Sequence, residues 1–146
     1  MLITTQRIRV EWGHCDPARI IFNPNYYIWM DHGTHALLLE AGYDLAADTR
    51  DGKSRGCPLV TSTAQFHAPA YHGDILTLKC TTHAFGNKSF TIAHEFSRDD
   101  KVLCTGTEVR VWAGYDKNDP DRLFAVPVPA GIREGLSQSR QVALAL

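Results

Sequence analysis

One stretch of helix length, residues 25–41, is apolar on too many sides to lie on a surface. Tyr26, Met30, Gly33, Leu37 and Ala41 recur at spacings of three and four, and Tyr27, Trp29 and Leu38 widen the stripe. So broad a face predicts a helix wrapped by other structure. Gly33 in mid-helix costs about 1 kcal/mol against alanine, and so predicts a close approach to sheet backbone. Gly42 ends the helix. The rest of the chain supplies the wrapping. Residues 3–11 alternate as a strand, and residues 59–66, 75–84, 89–97 and 102–115 are β-branched, aromatic and alternating. The connectors 68–74, 85–88 and 98–101 suit antiparallel hairpins. Residues 43–48 add a helical turn, 51–56 a polar loop, 123–126 a short edge strand and 130–138 a C-terminal helix, with the last residues loose. The order predicts an α+β fold in which an antiparallel sheet covers one long helix. A sheet of that kind leaves an edge and a face open, and a second copy is the natural cover.

The chain of 146 residues reads as one domain, residues 1–146, long enough for a real core. A formal net charge of -1 and a pI near 6.6 argue against nucleic acid or an anionic membrane as the main partner. Cys15, Cys57, Cys80 and Cys104 are widely spaced and never form C-x-x-C, so neither a zinc site nor a disulfide framework is expected. The first residues, MLITTQRIRVEW, alternate and lack a signal peptide's apolar run, and no run is long enough to span a bilayer. The expectation is a cytoplasmic protein.

Chemistry is concentrated between Trp12 and Asp31, in WGHCDPARIIFNPNYYIWMD. Gly13, Pro17 and Pro24 punctuate a turn, and Asn23 or Asn25 is placed to cap the following helix. Asp16 sits inside that turn. Free N–H groups at the helix start can polarise a carbonyl oxygen while the acid acts on its carbon as base or nucleophile. The alternative is local: an Asp in such a loop often only accepts a nearby backbone N–H.

The same residues resemble the signature of the 4-hydroxybenzoyl-CoA thioesterase family, approximately G-D-C-D-P-A-G-I-V-x-x-P-N-Y. Gly13, Cys15, Asp16, Pro17, Ala18, Ile20, Pro24, Asn25 and Tyr26 fall on it, and Lys88-Ser89-Phe90, Glu108-Val109-Arg110-Val111 and Val126-Pro127 are similar to family sequence downstream. The resemblance implies a hot-dog fold and an acyl-CoA thioesterase without a separate cofactor, coenzyme A being part of the substrate. It implies that Asp16 is the catalytic carboxylate and that the Asn23 N–H meets the thioester oxygen. Asp31 then faces the ring hydroxyl of an aromatic acyl group, with 4-hydroxybenzoyl the best single choice, and Lys88 stands near the coenzyme phosphates. It further implies a homo-oligomer, a dimer or a homotetramer built as a dimer of dimers, with the active site at the subunit interface. Two positions depart from the signature. His14 replaces an Asp, placing an imidazole two residues from Asp16. Arg19 replaces a Gly, adding a charge that meets a coenzyme phosphate or lies on the surface.

Other candidates have plainer explanations. His32 and His35 lack a companion ligand set and read as polar contacts at a dimer seam; no metal site is expected. The long helix carries one glutamate, Glu40, at its far end, which fits a mid-helix catalytic acid poorly. The alternatives to an aromatic acyl-CoA are a short-chain aliphatic acyl-CoA or an acyl-carrier-protein thioester. A hot-dog hydratase or dehydratase using His14, and a non-catalytic acyl-CoA binding module, are the rivals of other classes.

Overall fold

In a computed structural model of the chain, which describes residues 1–145, one helix lies against a single curved sheet. The elements run β1 (Ile3–Arg9), α1 (Pro24–Glu40), α2 (Leu45–Arg50), β2 (Leu59–Phe66), β3 (Ile75–Phe85), β4 (Ser89–Arg98), β5 (Lys101–Ala113), β6 (Ala125–Val126), α3 (Ala130–Ser137) and β7 (Gln141–Ala143). The sheet order is β2-β5-β4-β3-β1-β7, with β6 pairing β5 off that path. This is the expected hot-dog arrangement, a large and mainly antiparallel sheet around a central helix.

The expected helix is present and its ends are explained. Pro24 occupies the first turn, where its missing N–H costs nothing. Asn23 stands at the N-cap, but its side chain makes no capping bond. At the other end the Gly42 N–H reaches Leu39 O (3.0 Å) and the Tyr43 N–H reaches Leu38 O (2.9 Å), with Gly42 at φ +96. Those two bonds close a Schellman motif that only a left-handed residue completes. Met30, Leu37 and Leu38 are fully buried in one core with Leu76, Leu78, Phe90 and Ile92 of the sheet. Gly33 marks a close approach, though to side chains rather than to backbone. A Cβ there would lie 2.5 Å from Cys80 Sγ and 3.1 Å from Leu78 Cδ2. Gly106 on β5 makes the matching concession, since a side chain on it would collide with Met30.

Three expectations are corrected. Residues 67–74 form a crossover and not a hairpin: β2 pairs β5 at one edge, while β3 pairs β1 and β4. The helix has to be covered from both sides, and this crossover lets the sheet curl around it. Gln141–Ala143, near the chain end, is not loose, because it pairs in parallel with β1. The short edge strand shrinks to Ala125–Val126. Among the described residues no helix is long and apolar enough to cross a membrane.

Candidate active site

After β1 the chain makes a short 3-10 turn over Trp12–His14, then a small hairpin with Asp16 at its tip. Cys15 bridges Ile21, the Asp16 N–H reaches Ile20 O (3.0 Å) and the Arg19 N–H reaches Asp16 O (2.8 Å). Arg19 closes this turn at φ +65, in the left-handed region. A glycine would sit there freely, whereas a side chain costs roughly 1–2 kcal/mol. The glycine of the family signature thus has a physical reason that this chain overrides. The Ile21 N–H bonds Ala70 O (3.1 Å) and Ile20 bridges Tyr71, which fastens the hairpin to the crossover.

Asp16 makes the local bond expected of an acid in such a turn. Its Oδ1 accepts the Ala18 N–H at 2.8 Å, the local turn bond. Among the described residues nothing donates to its Oδ2. At the helix start the Phe22 N–H and Asn25 Nδ2 both reach His14 O, at 2.8 and 2.9 Å, and the Asn25 N–H reaches Phe22 O. Pro24 has no N–H. The Asn23 N–H finds no acceptor among the described residues, and is the donor at this helix start left for a ligand.

Asp16 and Asn23 border one cleft of about 480 Å³, with Tyr26, Phe66, His67 and Ala68 on its walls. Burial, then the nearby Cys104, pushes the Tyr26 phenol up to about 12, so it stays neutral. His67 Nε2 lies 2.9 Å from Thr105 Oγ1. On its other side Asp16 borders a second cleft, of about 660 Å³, with Trp12, Cys15, Pro17, Arg19, Tyr71 and His72. His14 takes no part at the carboxylate. Its Nδ1 accepts the Glu11 N–H at 2.9 Å and its ring packs edge-on against Trp29.

Asp31 and Lys88 lie elsewhere. Asp31, two turns into α1, presents Oδ1 to Arg110 Nη2 at 2.6 Å, and its Oδ2 lies 3.5 Å from His35 Nδ1. Its side chain is 45% exposed, so it forms the outer end of a network that runs inward. Arg110 Nε and Nη2 donate to Glu108 at 3.1 and 3.0 Å, and Thr34 Oγ1 donates to Glu108 Oε2 at 2.6 Å. His94 lies 3.5 Å from Glu108 and 3.2 Å from Cys80 Sγ. Burial alone would raise the Glu108 carboxyl, but hydrogen bonds from His94, Arg110 and Thr34 and the guanidinium charge bring it down to about 2. Glu108 and Arg110 were legible as family sequence, and their alternation with Gly106 and Trp112 puts them on the buried face of β5. Their bonds to Asp31 came only with the fold.

Lys88, in the β3–β4 connector, is at the other end of the sheet. Ser89 and Arg98 mark the two ends of β4, about 30 Å apart at strand spacing. Phe66, Ile75 and Ser97 share the end where the Asp16 loop sits, and Leu59, Phe85 and Ser89 share the other. Asp16, Arg19 and Asn23 are therefore brought together within one chain, and Lys88 is not. Among the described residues no cluster of three His, Cys, Asp or Glu side chains could hold a metal ion.

The chain and its fold have known counterparts. Residues 10–136 match the family model described as the thioesterase-like superfamily. The 4-hydroxybenzoyl-CoA thioesterase of Pseudomonas sp. (strain CBS-3) is 33% identical over 132 residues, covering 86% of this chain and 92% of that protein. A crystal structure of a mutant 4-hydroxybenzoyl-CoA thioesterase complexed with 4-hydroxybenzoyl-CoA superposes with a TM-score of 0.82 at 31% identity, covering 92% of this chain and 99% of that one. A gentisyl-coenzyme A thioesterase superposes with a TM-score of 0.77 at 33% identity, covering 88% of this chain and 98% of that one.

Proposed function

The chain belongs to the thioesterase-like superfamily, and on that premise we propose that it hydrolyses aromatic acyl-CoA thioesters at Asp16. The thioester-hydrolase class follows from the relatives. The aromatic acyl group is supported by two of them, named for 4-hydroxybenzoyl-CoA and gentisyl-CoA, at 33% identity each. 4-Hydroxybenzoyl-CoA is the first substrate to try, ahead of short-chain aliphatic or carrier-protein thioesters.

The observation that carries the reading is a half-free carboxylate and an unbonded helix-start N–H on one cleft. A thioester carbonyl laid between them offers its oxygen to the Asn23 N–H and its carbon to Asp16 Oδ2. Attack by Oδ2 forms a C–O bond and an oxyanion, which the N–H stabilises by about 3–4 kcal/mol when well aimed. Collapse breaks the C–S bond and releases coenzyme A as thiolate, whose conjugate thiol has a pKa of about 8.5 and leaves easily. Water then cleaves the mixed anhydride and restores Asp16. In the general-base variant Asp16 takes a proton from water, which attacks directly. Single-turnover conditions distinguish them: a trapped acyl-enzyme, or heavy oxygen from water entering Asp16, supports the nucleophile, and release of product with no acyl-enzyme formed supports the base. The hydratase reading loses its support, since His14 is turned to Glu11 and Trp29.

Asp31 and Lys88 fit this reading through a dimer. β2 ends the sheet with a free edge, its sequence LVTSTAQF carries no charge, and Leu59, Val60 and Phe66 on it are exposed. Two-fold antiparallel pairing of β2 with β2 sets the Phe66 end of one protomer beside the Leu59 end of its partner. That brings Asp31 of the partner subunit toward the Asp16 cleft, where its Arg110-held carboxylate accepts a hydrogen bond from a ring hydroxyl. The partner subunit's Lys88 approaches from the same side.

A further inference from the structure

We propose that Arg110 is a positioning residue: gripped by buried Glu108, it turns the Asp31 carboxylate so that one oxygen faces outward as a fixed acceptor for a ring hydroxyl. The assignment rests on the reading above and adds how that acceptor is held. Asp31 alone is a poor acceptor site. It is a half-exposed side chain on α1, and its neighbour one turn on, His35, lies 3.5 Å from Oδ2 as a competing partner.

Arg110 removes that freedom. Its planar guanidinium is fixed from two sides. Nε and Nη2 grip the two oxygens of Glu108 at 3.1 and 3.0 Å, and Nη1 donates to Cys57 O at 3.2 Å. The second Nη2 hydrogen is then directed at Asp31, whose Oδ1 accepts it at 2.6 Å. With Oδ1 taken, Oδ2 is the oxygen open to a ligand. Glu108 is locked in turn. Thr34 Oγ1 donates to its Oε2 at 2.6 Å, and His94 Nε2 lies 3.5 Å from the same oxygen. Burial pushes the Cys80 thiol up to about 12, so it keeps its proton and faces His94 Nδ1 at 3.2 Å, which leaves Nε2–H for Glu108. A buried ion pair stabilises a fold no better than well-packed apolar side chains of the same volume, so stability alone leaves Glu108 and Arg110 unexplained. One oriented N–H delivered to a half-exposed carboxylate explains them. Arg110 also stands opposite Leu59 in the ladder, at the end of β2 that the proposed dimer sets beside the other protomer's reaction cleft.

The test is the ratio of kcat/KM for 4-hydroxybenzoyl-CoA to that for benzoyl-CoA, which a general loss of fold or activity does not move. Wild type is expected to favour the hydroxylated ring at least about tenfold, as a hydrogen bond to a charged group allows. Asp31→Asn and Arg110→Lys each bring the ratio toward one; the lysine keeps the charge but lacks the fork that reaches Glu108 and Asp31 together. Adding Arg110→Lys to Asp31→Asn lowers the ratio no further, because the arginine acts through Asp31. Arg110→Met combined with Glu108→Leu removes both buried charges at once, and gives the same loss of preference should the lysine variant fail to fold. Dissociation constants of the two esters in Asp16→Asn report the preference without turnover. A wild type indifferent to the hydroxyl, an Arg110→Lys protein that keeps the full ratio, or a further fall in the double variant would each overturn the assignment. An Arg110-dependent preference in binding, in a protein that cleaves no thioester, would overturn the enzymatic reading and leave the role of Arg110 standing.

Discussion

At the scale of residues, the loop trades stability for placement. Arg19 holds a left-handed conformation that glycine would occupy without strain. Arg19→Gly is therefore expected to raise unfolding stability by about 1 kcal/mol, read as a higher denaturant midpoint at unchanged slope. An unchanged or lower midpoint would show that the arginine side chain makes stabilising contacts of its own. Glu108 is the opposite case, a buried carboxylate that the fold holds ionised. Its folded pKa is lowered from 4.5 to about 2, so its stabilisation is full above the unfolded value and fades as pH falls from 4.5 toward 2. The shift corresponds to about 3 kcal/mol. Glu108→Gln should lower stability at neutral pH and flatten its decline across that acid window, which denaturation at a series of pH values measures. The position of the candidate acid, Asp16, was legible in the sequence because Gly13, Pro17 and Pro24 confine it to a turn before a helix. The direction of His14 was not, since alternation inside a tight turn does not say which way a ring points.

At the scale of elements, the meeting of α1 with the sheet is what the sequence states most clearly. The apolar stripe, Gly33 and Gly42 gave the helix and its end to within a residue. Gly33→Ala improves helix propensity by about 1 kcal/mol yet sets a Cβ 2.5 Å from Cys80 Sγ. Net destabilisation of about 1–2 kcal/mol is expected, with loss of packing between α1 and β3. A more stable Gly33→Ala variant would show that the helix can move off the sheet without penalty. Strand identities were legible from alternation, but partners were not. An eight-residue connector such as 67–74 fits a hairpin or a crossover equally well, and the choice is made by a helix that needs cover on both sides. Three residues of β7 carry too little pattern to announce a parallel pairing with β1. The network from Asp31 to His94 was hidden for the same reason, being built across α1, β4 and β5.

At the scale of the whole molecule, the two ends of the sheet hold different parts of one proposed site. Asp16 and Asn23 are at one end, and Lys88 at the other, so a single chain leaves the site incomplete. Val60→Lys places a charge on the open β2 edge, and is expected to shift the proposed dimer toward monomer in sedimentation, with activity falling alongside. A variant that stays dimeric and fully active would remove β2 from the interface. The central claim is narrower and can be tested first. It is that Asp16 does the chemistry on a thioester, and the most direct measurement is thiol release from 4-hydroxybenzoyl-CoA by wild type and by Asp16→Asn, whose Oδ1 keeps the turn bond to Ala18. Rapid release by wild type, reduced at least about 10²-fold in a variant of unchanged thermal stability, is the predicted result. Equal rates in the two proteins, or no release by either across aromatic and aliphatic acyl-CoA esters, would contradict it.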